Sequence, residues 1–207
     1  MTTDSNTISS SYGGVAQAFH WATAAAVLAA FILGPGGSEQ HVYAVSRDFE
    51  RQLHETLGLC VFGLSVLRIV WRTFDTHPQA PQLEPLMVVA SKAVQLTLYL
   101  LLFAVPLTAI LGAWFEGHPL TLIAGLQIHS PFAIAHKTGA LISNIHTWLA
   151  DALLWLAGLH ALAAVYHHVL LRDNVLSAML PPWMARAVAG LGYRRKTGVQ
   201  LDRARRA

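Results

Sequence analysis

Cysteine is nearly missing from this 207-residue chain, where Cys60 stands alone. One thiol excludes an intramolecular disulfide and any iron–sulfur or zinc site built from several cysteines. Cys60 lies in an apolar run, where a small buried hydrophobe is its expected role. Charge is scarce as well. Asp, Glu, Lys and Arg make up 12% of residues, against about 25% in an ordinary soluble domain. With 54% hydrophobic residues and a mean hydropathy of +0.45, the chain is expected to be a single-domain membrane protein. There is no internal repeat, no dinucleotide-binding fingerprint and no phosphate loop, and no nucleic-acid partner is expected. Residues 1–13 contain no Lys or Arg and so lack the positive region of a cleaved signal peptide. They read as a disordered tail, with the first apolar segment staying in place.

What the chain has in quantity is histidine, eleven residues in all, set among four apolar stretches. The first stretch, Val15 to Leu33, carries His20 and breaks at Gly34-Pro35-Gly36-Gly37. The second, about Leu53 to Phe74, opens with His54, then Gly58 one turn on, with Arg68 and Arg72 at its far end. A Pro-rich connection from Thr76 to Pro85 leads to the third, about Met87 to Phe115, which has no histidine and is expected to kink at Pro106. The longest loop is expected from Glu116 to Ile145, holding His118, His129, His136 and Lys137. The fourth stretch runs from Ile145 to Asp173 and carries His146 and His160. Pro181-Pro182 is expected to stop this helix, with Trp183 to Leu191 an amphipathic surface segment. The end of the chain is a basic tail with Arg194, Arg195, Lys196, Arg203, Arg205 and Arg206, suited to anionic lipid.

The expected fold is therefore all-α: a four-transmembrane-helix bundle over residues 14–180, followed by a basic tail over 181–207. Four spans put both termini on one side with Arg68, Arg72, Lys92 and the eight Lys and Arg from Arg172 onward. The other side has only Arg47, Arg51 and Lys137. The positive-inside rule then places both termini in the cytoplasm.

His146 and His160 are fourteen residues apart, close to four helical turns, so both rings share one face and lie roughly 21 Å apart along the axis. Alone, such a pair is equally read as two buried histidines bonded to neighbouring backbone. The topology adds partners: His20 falls at the depth of His160, and His54 at the depth of His146. Two histidines at one depth on different helices meet the need of a haem iron for axial nitrogens on opposite faces. Ionisable groups inside a membrane are rare enough that four matched by depth point to function. Arg68, also fourteen residues from His54, is either a haem-propionate partner, with Arg72 beside it, or a snorkelling interfacial arginine. Asp151 is expected to point away from the histidine face, and His41, His77, His118, His129 and His136 to be plain loop histidines.

With these motifs, Phe19-His20-Trp21, His54 with Gly58, Leu67-Arg68 to Arg72, His146-Thr147-Trp148 and Leu159-His160-Ala161 through His167-His168 to Arg172-Asp173-Asn174, the chain resembles the bacterial cytochromes b561. The resemblance covers roughly Val15 to Pro182. It implies a four-helix dihaem membrane cytochrome, with two b-type haems ligated by His20, His54, His146 and His160. It also points to the branch that contains a superoxide:ubiquinone oxidoreductase.

The expected function is transfer of electrons from superoxide, or another periplasmic one-electron donor, to ubiquinone at the cytoplasmic side. His167 or His168 would supply protons there. Arg51, one turn before His54, and Lys137 would attract a small anion, unless Asp48 and Glu50 cancel the field. Two rivals stand beside this: a conduit serving a partner redox protein, and a histidine-lined metal or proton transporter, which would be colourless. A plain membrane anchor leaves the depth-matched histidines unexplained. Association into homo-oligomers is left open.

Overall fold

In the computed structural model, residues 11–75 and 84–192 are described. The first ten residues, most of the Pro-rich connection with His77, and the arginine-rich end from Tyr193 lie outside them. Four helices are long and apolar enough to cross a membrane. They are α1 (Gly14–Ile32), α3 (Asp48–Phe74), α4 (Pro85–Glu116) and α5 (His136–Tyr166), with the one-turn α2 (Glu39–Val42) between the first two. Two short helices, α6 (Val175–Met179) and α7 (Pro182–Gly192), follow. The all-helical membrane bundle expected from composition is the fold observed.

The ends of α4 are set by local chemistry. Pro85 opens α4 at a position whose N–H has no helical partner in any case. Gly117 closes it at φ 92°, a left-handed conformation that a residue without Cβ adopts at no cost. Two spans run longer than expected. α3 starts at Asp48, because Val45–Arg47 form a 3-10 turn that feeds into it. α5 starts at His136, so the loop before it shortens to residues 117–135 and holds a small antiparallel hairpin, Leu120–Thr121 against Gln127–Ile128. The fourth helix also ends earlier than Pro181: a π-turn over His167–Leu171 closes at Arg172, and Pro182 opens α7.

Packing is uneven, and the unevenness sets the site. α4 and α5 form the closest pair and α1 packs along α3, whereas α5 meets α1 at few positions and α3 at almost none. The α4–α5 contact depends on two glycines. A Cβ on Gly139 would lie 2.7 Å from the backbone N of Glu116, and one on Gly112 would lie 3.2 Å from the backbone N of Ser143. The core is one small cluster, Val61, Leu102 and Leu153, flanked by Ala26, Val27, Leu98, Leu101 and Val105. Val61 lies seven residues from both His54 and Arg68, and Leu153 seven from both His146 and His160. Seven residues are about two turns, so this apolar layer sits midway between the histidine levels.

Candidate haem sites at the two ends of the bundle

The end bearing α2 and the 117–135 loop, the loop end, holds His54 and His146. Gly34 ends α1 by bonding back to Phe31, which frees the carbonyl of Ala30 from the helical ladder. That carbonyl accepts the Nδ1 proton of His54 at 2.7 Å. The carbonyl of Val105, beside the buried Pro106 of α4, accepts the Nδ1 proton of His146 at 2.9 Å. A carbonyl can only accept, so both rings carry hydrogen on Nδ1 and present a bare Nε2 lone pair. The ring centres are 6.2 Å apart and the planes 82° from parallel. Two metal–imidazole bonds of about 2.0–2.1 Å, each extended by about 1 Å to its ring centre, span roughly 6 Å. One iron fits between these rings. α3 and α5 share almost no close backbone contacts, and a Cβ on Gly58, one turn from His54, would meet nothing within 4 Å outside its own helix backbone. The donor set, with the opening beside Gly58, fits a haem.

At the tail end, His20 of α1 is within electrostatic reach of both His160 of α5 and Arg68 of α3. Among the described residues neither histidine ring has a hydrogen-bond partner, and the His20 ring stands edge-on to Trp21 at 5.3 Å. Arg68 lies 5.5 Å over the ring of Tyr99 and makes no ion pair among the described residues, so its fork is available to a carboxylate. Arg72, a turn farther out, is exposed. No group of three or more His, Cys, Asp or Glu suited to a bare metal ion occurs among the described residues.

The remaining candidates divide. His167 donates from Nδ1 to Asp173 at 2.5 Å, whereas His168 has no such partner among the described residues. Arg51 is expected to attract an anion unless neighbouring acids cancel its field. It is 8% exposed, paired with both Asp48 and Glu55 and covered by the Tyr43 ring, so its charge is cancelled where it sits. The surrounding cluster was not foreseen. Glu55 accepts the Thr121 N–H, and Thr56 accepts the Ile123 N–H at 3.0 Å, docking the hairpin loop beside His54. His118, expected to be a plain loop residue, stacks on Tyr43 at 3.5 Å and bonds Glu39 at 2.8 Å. Burial, with Glu55 and Glu116 nearby, pushes the Tyr43 phenol well above its usual pKa. Lys137 is exposed on the first turn of α5, nine residues or roughly 13–14 Å from His146. Asp151 is exposed, away from the interior.

Histidines facing one another between membrane-length helices are what a membrane cytochrome requires. The family model for prokaryotic cytochrome b561 matches residues 11–182, and the chain belongs to that family. Over 170 residues it is 29% identical to cytochrome b561 homolog 2 of Escherichia coli, covering 82% of this chain and 90% of that one. Over 132 residues it is 29% identical to the probable superoxide oxidase CybB of Yersinia pestis, covering 63% and 74%. It is also 29% identical over 168 residues to a cytochrome b562 of Cereibacter sphaeroides, covering 79% and 90%. Membership carries haem b and electron transfer across a bacterial membrane.

Proposed function

We propose that the protein holds two b-type haems, one between His54 and His146 and one between His20 and His160, and moves electrons from superoxide at the loop end to ubiquinone at the tail end. The observation that carries this is the loop-end pair, two imidazoles fixed by backbone carbonyls at the separation one iron requires. Arg68, with Arg72 beyond it, would hold the propionates of a haem at the tail end. Bound haem supplies a one-electron carrier at each level. The chain does the rest: its four histidines would take up the ligand positions of both irons, leaving none for oxygen, and the Val61–Leu102–Leu153 layer keeps the two levels apart. Two superoxide ions each lose one electron and leave as O₂, and one quinone takes two electrons and two protons to become quinol. His167 or His168 provides the proton contact.

The tail end is cytoplasmic in this reading. Its described cations Arg68, Arg72, Lys92, Arg172 and Arg186 outnumber Asp75, Glu84 and Asp173. Lys137, not Arg51, is the cation left to meet an anion outside.

One observation favours a second reading, a conduit fed by a basic redox protein. At the loop end Glu39, Asp48, Glu50, Glu55 and Glu116 face only Arg47, Arg51 and Lys137, a formal surplus of two negative charges. Stopped-flow absorbance of the purified haem-loaded chain, mixed with superoxide and a short-chain ubiquinone, separates the two. Haem reduction by superoxide followed by quinol formation supports the first reading. Reduction no faster than by a neutral donor leaves the conduit.

A further inference from the structure

Past His160, α5 does not simply stop. His167–Leu171 widen into a π-turn, an irregularity common at functional sites. Arg172 then takes a left-handed conformation, φ 56°, and the N–H of Asp173 bonds back to the His167 carbonyl at 3.3 Å. The chain is thereby folded so that the Asp173 carboxylate meets the imidazole six residues behind it. Oδ2 accepts the Nδ1 proton of His167 at 2.5 Å, and Oδ1 accepts the N–H of Val175 at 3.1 Å, opening α6. Both side chains are about four-fifths covered, with 18% of each exposed. His168, one residue on, has no carboxylate of its own among the described residues.

We propose that Asp173 is a positioning residue for quinone reduction, holding the proton of His167 on Nδ1 so that Nε2 faces the quinone. This rests on the reading that quinone is reduced at the tail end. The quinone gains two electrons and two protons. His167, protonated at both nitrogens, gives its Nε2 proton to a quinone oxygen, and the O–H bond forms as the N–H bond breaks. The ring stays bound to Asp173 through Nδ1 and regains its Nε2 proton from interfacial water before the second transfer. The carboxylate offsets the charge of the doubly protonated ring and fixes its orientation, the two services an acid renders a catalytic histidine.

Asp173→Asn separates this role from mere capping. Asn accepts the N–H two residues on, that of Val175, as Asp does. With its oxygen kept on Val175, however, its amide turns an NH₂ toward Nδ1 and reverses the tautomer. The reversed neutral ring can release its Nε2 proton only as imidazolate.

The test uses the full haem-loaded chain labelled with ¹⁵N-histidine. Asp173→Asn is expected to retain the reduced-minus-oxidised spectrum of wild type and to move the His167 proton from Nδ1 to Nε2 in the ¹⁵N spectrum. It should also lower kcat with a short-chain ubiquinone at least ~10-fold while KM holds, a positioned proton donor contributing roughly 10²–10⁴. Asp173→Glu should recover part of that loss. Normal kcat in Asp173→Asn, or an Nδ1 proton retained there, overturns the proposal alone. Normal kcat in His167→Ala overturns this proposal and leaves the tail-end quinone to His168, whereas a haem-loaded wild type that forms no quinol overturns the quinone reading itself.

Discussion

Gly58→Ala distinguishes a seat for haem from a space filled by lipid. Inside a helix, Ala is favoured over Gly by about 0.8–1.0 kcal/mol. Nothing in the protein opposes the added methyl, because a Cβ at this position meets no atom within 4 Å. The haem-free chain should therefore gain about 1 kcal/mol. With a macrocycle lying along the face of His54, the same methyl overpacks the contact and costs about 1–3 kcal/mol. That is a loss of haem affinity of roughly 5–150-fold at one site. The opposed signs are the diagnostic. Apoprotein melting and haem titration in detergent read them separately, and Gly112→Ala is the control, since its Cβ would press on Ser143 whether or not haem is bound. Unchanged haem affinity in Gly58→Ala, with the expected gain in apoprotein stability, would refute the placement of a macrocycle on this face.

Replacing any one of His20, His54, His146 or His160 by Ala should remove a haem or leave it five-coordinate, and two low-spin haems surviving in any one variant would overturn the pairing. Arg51→Ala should lower the thermal midpoint, since removing one member of a buried ion cluster costs about 3–5 kcal/mol. It should barely alter superoxide kinetics. Lys137→Ala should slow haem reduction by superoxide at low ionic strength, with the difference fading as salt is added. Below about pH 10 the Tyr43 phenol is neutral whether folded or unfolded. Above that the unfolded chain ionises first, so its contribution to stability is lost as pH rises through the raised folded value. Tyr43→Phe should remove this loss, measurable as unfolding midpoint against pH.

The fourteen-residue intervals that join His146 to His160 and His54 to Arg68 made the helical bundle and the paired depths legible, because helical period and membrane thickness are fixed quantities. Less legible were the acceptors of the Nδ1 protons. Gly34-Pro35 marked a helix end, but no local rule says which freed carbonyl a histidine 24 residues later will reach. The start of α5 at His136 was hidden because the apolar run thickens only near Ile145, while the turns before it are held by close packing of Gly139 on Glu116. The pairing of Arg51 did have a signal, since Asp48 and Glu55 stand three residues before and four after it, the spacing of neighbours on a helix face. The π-turn that carries His167 back to Asp173 had none.

The apolar layer of Val61, Leu102 and Leu153 has an energetic meaning. An electron passing from the His54–His146 level to the His20–His160 level crosses roughly 21 Å of a ~30 Å hydrocarbon core. With the tail end in the cytoplasm, it moves against an inside-negative potential. A full charge crossing 100 mV costs about 2.3 kcal/mol, so this step costs about 1.6 kcal/mol, and the inner site must stand about 70 mV above the outer one to compensate. Under the proposed function, each quinol made with cytoplasmic protons would leave the outside more positive and the inside more negative. On the proposed function and orientation, the protein would charge the membrane in which it sits.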